Sequence, residues 1–331
     1  MDVREIKYPE YSIYKQGVTQ SILSRLDCPM KLKLYLNGFV KKDKIKNVGF
    51  GSAFHDLLAF IYNYYMECDT DMNNKLLNKF VNSLIKKYFY NYDDKDREIY
   101  KIKLKFAIRF YMQIFNRDWI ISNLHKPERE FDVIDNNGVR RRGKIDMELE
   151  DDKKRLWLME HKTMGRINEG QLMNHLSINF QNYYYLSTRE IETGKKFSGM
   201  VYNIIRNTRM KPKKDETLSE WERRIRKDYR RRPYHYFKRY KIKLVNDRKS
   251  KKGQRELDRF NFELNQMFNT LMYYVNNKID YKNTFNCVKL YSCEYLEACK
   301  SNSLNLYKQE NLFSELDNKN KIKKKLVRRK K

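Results

Sequence analysis

"GKIDMEL" (residues 143–149), followed after the charged turn "EDDKKR" by "LWLMEHKT" (residues 156–163), decides the fold. Both segments read as strands, yet they carry Asp146, Glu160 and Lys162, whose charges are costly to bury without partners. Alternate side chains of a strand share a face. Asp146 therefore points with Lys144 and Glu148, and Glu160 points with Leu158 and Lys162, leaving His161 on the opposite face. The short turn makes the strands antiparallel neighbours and brings Asp146 and Glu160 to one edge of the core. Two adjacent carboxylates repel each other, and a hard divalent cation such as Mg²⁺ relieves that repulsion. A lysine two residues further on can orient a water and offset charge in a phosphodiester transition state. A surface hairpin with a solvated Glu/Lys pair has the same spacing, so the wider pattern has to decide.

Working outward, "EREFDVID" is strand-like and "NNG" (136–138) is a hairpin turn signal. "EGQLMNHLSINFQNYYYLSTREIE" reads as one helix and "KFSGMVYNIIR" as another buried strand. The first 125 residues are mostly helical: "SILSRLDCPMKLKLYL" has helical spacing, and "GSAFHDLLAFIYNYYME" places Phe54, Leu58 and Ile61 on one stripe. Hairpins followed by a helical crossover describe an α/β fold, a mixed sheet core of helices, three antiparallel strands, helix and strand, with helical elaborations at both ends. With no repeat and no Gly/Ser linker, one domain over residues 1–318 is expected: helical 1–125, core 126–206, and basic, aromatic and helical 207–318.

The 331 residues contain 71 Lys and Arg against 42 Asp and Glu, a formal +29 that predicts attraction to polyanions, nucleic acid first. The end "KNKIKKKLVRRKK" (319–331) reads as a disordered basic tail; its nine basic residues leave +20 on the rest, so the body is itself basic. No apolar run approaches a membrane span and the start lacks a signal-peptide core, so an intracellular, cytoplasmic protein without disulfides is expected.

The order of Asp strand, turn, E-x-K strand, and a helix carrying Gln181 and Tyr185 resembles the PD-(D/E)xK nuclease superfamily, specifically its RecB-like branch. The resemblance rests on "GKID", "EHK", "QNYYY" and, upstream, "GSAFH". It implies a restriction-endonuclease-like fold and a metal-dependent DNA nuclease using Mg²⁺ or Mn²⁺. Asp146, Glu160, His55 and the backbone carbonyl of His161 would be the metal ligands, Lys162 the catalytic lysine, and Gln181 and Tyr185 the Q-x-x-x-Y pair that contacts the DNA backbone and organises the site. Ile145 stands where the family has Pro before Asp.

Cys28, in "LDCP", and Cys287, Cys293 and Cys299, in "NCVKLYSCEYLEAC", lack zinc-knuckle spacing, and buried unrelated thiols would look the same. One N-terminal Cys-Pro with three C-terminal cysteines is similar to the iron-sulfur RecB-like nucleases, such as AddB and the CRISPR-associated exonucleases, in which a 4Fe-4S cluster staples the two ends. Here the first C-terminal gap is five residues instead of two, which keeps zinc, or no metal, as alternatives.

Between 211 and 252, Arg223, Arg224, Arg230, Arg231, Lys238 and Arg239 interleave with Trp221, Tyr229, Tyr234, Tyr236, Phe237 and Tyr240. Cations that neutralise phosphates beside aromatics that stack bases suit a strand-tracking groove. A solvated helix, with Leu218, Trp221 and Ile225 on one stripe, beside a half-buried strand would look similar. Taken together, the sequence predicts an exonuclease acting in DNA recombination, repair or phage DNA processing, in the host cytoplasm if phage-encoded, with a helicase or recombination protein as a candidate partner. The competing expectation is a non-catalytic nucleic-acid-binding or recombination scaffold that keeps the fold.

Overall fold

Asp146 interrupts the strand that its neighbours would otherwise form. Its carboxylate accepts the backbone N–H of His161 at 2.7 Å, and its carbonyl accepts that of Glu128 at 2.8 Å, so its polar groups are engaged outside a simple ladder. "VRRRGKIDMEL" is therefore two strands in different sheets. The computed structural model describes residues 1–42, 46–68, 72–115, 127–165, 168–243, 245, 249–287 and 293–312. Its strands are β1 (Phe39–Lys41), β2 (Arg129–Ile134), β3 (Arg140–Ile145), β4 (Met147–Glu150), β5 (Leu156–Met164), β6 (Phe197–Arg206), β7 (Phe237–Lys243) and β8 (Tyr307–Gln309). One sheet has the order β4-β5-β6-β7, and β2-β3 and β1-β8 form two-stranded sheets. β4 runs antiparallel to β5, β5 parallel to β6, and β6 antiparallel to β7. This is a mixed α/β architecture consistent with the restriction-endonuclease-like fold.

The residues cluster into two compact units. One comprises Ile45–Arg129 and Lys144–Asn246 and contains the four-stranded sheet. Its β4–β5 turn is tied by Asp151, whose carboxylate accepts the N–H of Lys153, the N–H and Nε of Arg155 and the indole of Trp157. β5 lies between β4 and β6, so both of its edges are paired, and its consecutive residues 157–161 are buried on both faces. Helices Lys46–Glu67, Asn74–Tyr88, Asp94–Phe115 and Leu218–Arg231 bury Phe54, Leu58, Phe106, Trp221 and Tyr229 with Trp157, Met159, Val201 and Ile205 of the sheet. The segment read as one long helix is two, Glu169–Ile178 and Phe180–Thr193, because Asn179 leaves the helical conformation and caps the second through the N–H of Gln181. Gly194, at φ +67°, ends it.

The other unit comprises Met1–Lys44, Glu130–Gly143 and Asp247–Lys331, within which the described residues bring the two ends of the chain together. β1 pairs antiparallel with β8, and Cys28, Leu34, Phe39, Tyr295, Leu304 and Tyr307 share a small core. Lys33 meets Asp280 at 2.7 Å, and Tyr295 donates to the Phe39 carbonyl at 2.7 Å. The "NNG" turn forms as read: Asp135 accepts the N–H groups of Asn137 and Val139, and Gly138 adopts φ +77°. The expected basic tail lies outside the described residues. Among the described residues no helix is long and apolar enough to cross a membrane.

Candidate active site

The bend at Asp146 places this carboxylate beside helix Lys46–Glu67. Gly51 lets the helix approach β5: a Cβ there would stand 2.6 Å from Oγ1 of Thr163. His55, one turn further along, then reaches Asp146, Nδ1 to Oδ1 3.5 Å. The third member is Glu128, which the sequence reading missed. One ligand atom each from His55, Glu128 and Asp146 lies within 4.8 Å of the others. Donors about 3–4 Å apart surround a small divalent ion with bonds near 2.1 Å, so this His/carboxylate set fits Mg²⁺ or Mn²⁺ after slight contraction. No spacing rule could have found Glu128, since it enters from the residue before β2 in a left-handed backbone conformation, φ +51°. The three residues line a cleft of about 570 Å³, together with Lys144 and Thr163.

Glu160 and Lys162 stand together on the helix Phe180–Thr193 side of β5. Lys162 Nζ donates to Glu160 Oε1 at 2.7 Å, and Gln181 Nε2 donates to the same oxygen at 3.1 Å. Tyr185, one turn after Gln181, is buried against it and is hydrogen-bonded to its side chain. Spacing put Glu160 with Lys162 and Gln181 with Tyr185, and the fold brings the two pairs together.

The carboxylates are held in opposite states. Burial would raise the pKa of Asp146, but His55 and the His161 N–H outweigh it and hold the acid at about 2. Burial and the Asp146 charge push Glu160 up to about 7, against the pull of Lys162. Burial also works against a charged His55, yet Asp146, Glu160 and Glu128 raise its pKa above the ordinary value. Glu128 is raised by burial despite its ion pair with Lys144. A site that strains to hold its negative charge in this way is one that a cation would relieve.

Comparison with known families bears on this geometry directly. The sequence model described as the PD-(D/E)XK nuclease superfamily matches residues 19–300. The chain belongs to that superfamily. No curated protein matches it. Members of the PD-(D/E)XK superfamily are typically metal-dependent nucleases with nucleic acid as substrate, and the cleft supplies the donors such chemistry requires.

Behind the PD-(D/E)XK strand β5 lies a polar network absent from the sequence reading. His161 is buried, paired in register with Asn203 of β6. Asn203 Nδ2 donates to His161 Nδ1 at 2.9 Å and to the Tyr111 hydroxyl at 2.9 Å. Arg239 donates to the same hydroxyl at 2.8 Å and lies over the Phe115 ring at 3.7 Å. With both amide protons of Asn203 assigned, His161 accepts at Nδ1 and carries its own proton on Nε2. Burial drives its pKa down to about 3, keeping it neutral. Arg239, expected at the nucleic-acid surface, instead anchors this network.

The rest of the basic segment divides by helical periodicity. Trp221, Ile225, Tyr229 and Phe237 are fully buried and Tyr236 nearly so, which removes them as stacking platforms; Trp221 and Ile225 lie on the apolar stripe read from the sequence. Of the aromatics named there, Tyr234 is the one that stands exposed. Arg223, Arg230 and Arg231 face solvent, whereas Arg224 is held by Glu216 at 2.6 Å and Lys238 by Glu169. In the other unit, Cys28, Cys287, Cys293 and Cys299 are near enough to influence one another electrostatically. Cys28 Sγ accepts the Asn283 N–H at 3.4 Å, and the Cys293 N–H donates to the Cys287 carbonyl at 3.0 Å. Burial raises the Cys293 thiol and takes Cys299 to about 11, a cost that falls on thiolates until a metal or cluster accepts them.

Proposed function

We propose that this protein is a metal-dependent DNA nuclease of the RecB-like branch, acting as an exonuclease in recombination, repair or phage DNA processing. The observation that carries the proposal is the convergence of His55, Glu128 and Asp146 on one point beside Glu160, Lys162 and Gln181. His55, Glu128 and Asp146, with Glu160 and the His161 carbonyl, would hold Mg²⁺ or Mn²⁺. When bound, such an ion supplies Lewis-acid polarisation and lowers the pKa of a water. Lys162, fixed between Glu160 and Gln181, offsets charge developing on the phosphoryl oxygens and orients the attacking water. Gln181 holds Glu160 in place while Tyr185 supports Gln181 from below. Both residues would also contact the DNA backbone.

The proposal takes residues 1–318 as one nuclease, since the superfamily match runs through both units. The exposed Arg223, Arg230 and Arg231 would attract DNA, and a helicase or recombination protein would deliver it inside the cell. That Cys28, Cys287, Cys293 and Cys299 lie in one unit, near enough to influence one another electrostatically, supports a 4Fe-4S staple there. Brown, anaerobically purified protein absorbing at about 400 nm is expected; colourless protein carrying stoichiometric zinc would replace the cluster with a zinc site.

The activity test is cleavage of end-labelled linear and of circular DNA with Mg²⁺, Mn²⁺ or chelator, beside Lys162→Ala. Loss of one preorganised donor should cost at least about 100-fold. Tight binding without cleavage under any metal condition would leave a binding scaffold in place of the nuclease.

A further inference from the structure

We propose that an arginine-lined pocket at the carboxyl ends of parallel strands β5 and β6 binds a backbone phosphate of the strand held for cleavage; the inference rests on the nuclease reading and specifies how that site takes its substrate. The pocket is about 370 Å³, and Gly165, Arg206, Thr208, Arg209, Arg232 and His235 are among its walls. Among the described residues none lines both this pocket and the metal cleft.

The charge balance inside it is uneven. Among the described lining residues Asp228 is the single carboxylate, and it is already engaged by Arg232 at 2.6 Å and by the Tyr236 hydroxyl. Arg206 donates to Nδ1 of His235 at 2.8 Å, a neutral partner, because burial and then Arg206 and Arg232 lower the His235 pKa. Arg209 is exposed and lies across Gly165, where a Cβ would stand 3.2 Å from its guanidinium, so the glycine leaves room for the side chain over the pocket. Among the described residues no carboxylate pairs with Arg206 or Arg209. Two guanidiniums thus face one concavity without a counter-anion, the arrangement that takes a phosphate with paired N–H donors.

Position links the pocket to the chemistry. Gly165 follows Lys162 by three residues on one continuous strand and turn, a rise of about 10 Å at roughly 3.3 Å per residue. Phosphates recur at every nucleotide of a strand, so a pocket this close to Lys162 would hold a phosphate within a few nucleotides of the cleaved bond. A free carboxylate ligand would not account for this alignment with a phosphodiester site in a chain of formal charge +29.

The test compares the full-length protein with Arg209→Gln and with Arg206→Gln/Arg209→Gln, using anisotropy of a fluorescein-labelled single-stranded DNA oligonucleotide in chelator across a salt series. The double variant should bind at least about tenfold more weakly, with a slope of log K against log salt smaller by about 0.7 for each phosphate no longer neutralised. Arg209→Gln, whose side chain is exposed and whose fold is not at risk, should show part of both effects. A neutral methylphosphonate walked along the oligonucleotide should weaken binding to the parent at one position and leave the double variant unaffected there. Unchanged affinity and slope in both variants, or an equal methylphosphonate cost in parent and variant at every position, would overturn the pocket. Cleavage by the parent is scored separately with Mn²⁺: binding loss in a protein that never cleaves keeps the phosphate pocket and ends the nuclease reading, whereas cleavage with intact variant binding does the reverse.

Discussion

Glu160→Gln in metal-free protein should change the pH dependence of stability in a defined direction. In the folded protein, burial and the Asp146 charge hold the Glu160 carboxyl at about 7, against 4.5 when exposed. The folded state therefore binds more protons than the unfolded state between these values, so this group's contribution is fully present below pH 4.5 and is lost as pH rises through 7. The loss amounts to roughly 3 kcal/mol at 1.36 kcal/mol per pH unit. Gln is neutral throughout, so the variant gains on the parent across that window by about this amount, then stays level. His161 acts with the opposite sign: its folded pKa of about 3 makes its contribution present above pH 6.5 and lost as pH falls through 3. That term is common to parent and variant and drops out of the difference. Thermal unfolding in chelator, followed by the fluorescence of Trp157 and Trp221, which are buried in the unit that holds Glu160, gives the comparison directly. At about 2–4 °C per kcal/mol the midpoints should separate by roughly 6–12 °C between pH 4.5 and 7.5. Saturating Mg²⁺ should close the gap by stabilising the parent's ionised form. Midpoints that move in parallel with pH would refute a buried Glu160 beside a charged Asp146.

Other substitutions probe other parts of the molecule. Arg189→Met should destabilise by about 3–5 kcal/mol, because it leaves buried Glu148, 3.0 Å from Arg189, with the longer ion pair to Arg129 at 3.8 Å; Glu148→Gln/Arg189→Met should recover much of the loss in urea titrations. Asn203→Leu leaves the buried Nδ1 of His161 without its donor and should destabilise the fold by about 1–3 kcal/mol in urea titrations, with Mn²⁺ affinity measured by calorimetry near the parent value. Gly38→Ala, at φ +78° with the added Cβ 1.8 Å from the Glu310 carbonyl oxygen, should open the β1–β8 pairing and speed amide exchange in both strands, with metal binding unchanged. Asp146→Asn should abolish cleavage and leave DNA affinity in chelator within about twofold, as read by anisotropy.

The sequence alone determined much about this protein wherever a rule connects neighbours in the chain. Period two placed Glu160 and Lys162 on one face of β5, period 3.6 placed Gln181 beside Tyr185 and Trp221 with Ile225 on one stripe, and "NNG" made its turn. The order of those short motifs carried the family. Two local competitors were not visible as periodicity: Asp146 uses its polar groups across the β4–β5 gap and so breaks the strand, and Asn179 caps a second helix where one was read. What only the tertiary structure decided depends on groups far apart in sequence meeting in a low-dielectric interior. Glu128 comes to Asp146 from the residue before β2, Arg189 comes to Glu148 across the sheet, and Arg239 turns inward to Tyr111 when composition alone would leave it in solvent. The physical reason is that a buried charge is tolerated only beside a partner, and the fold, not the spacing along the chain, supplies that partner.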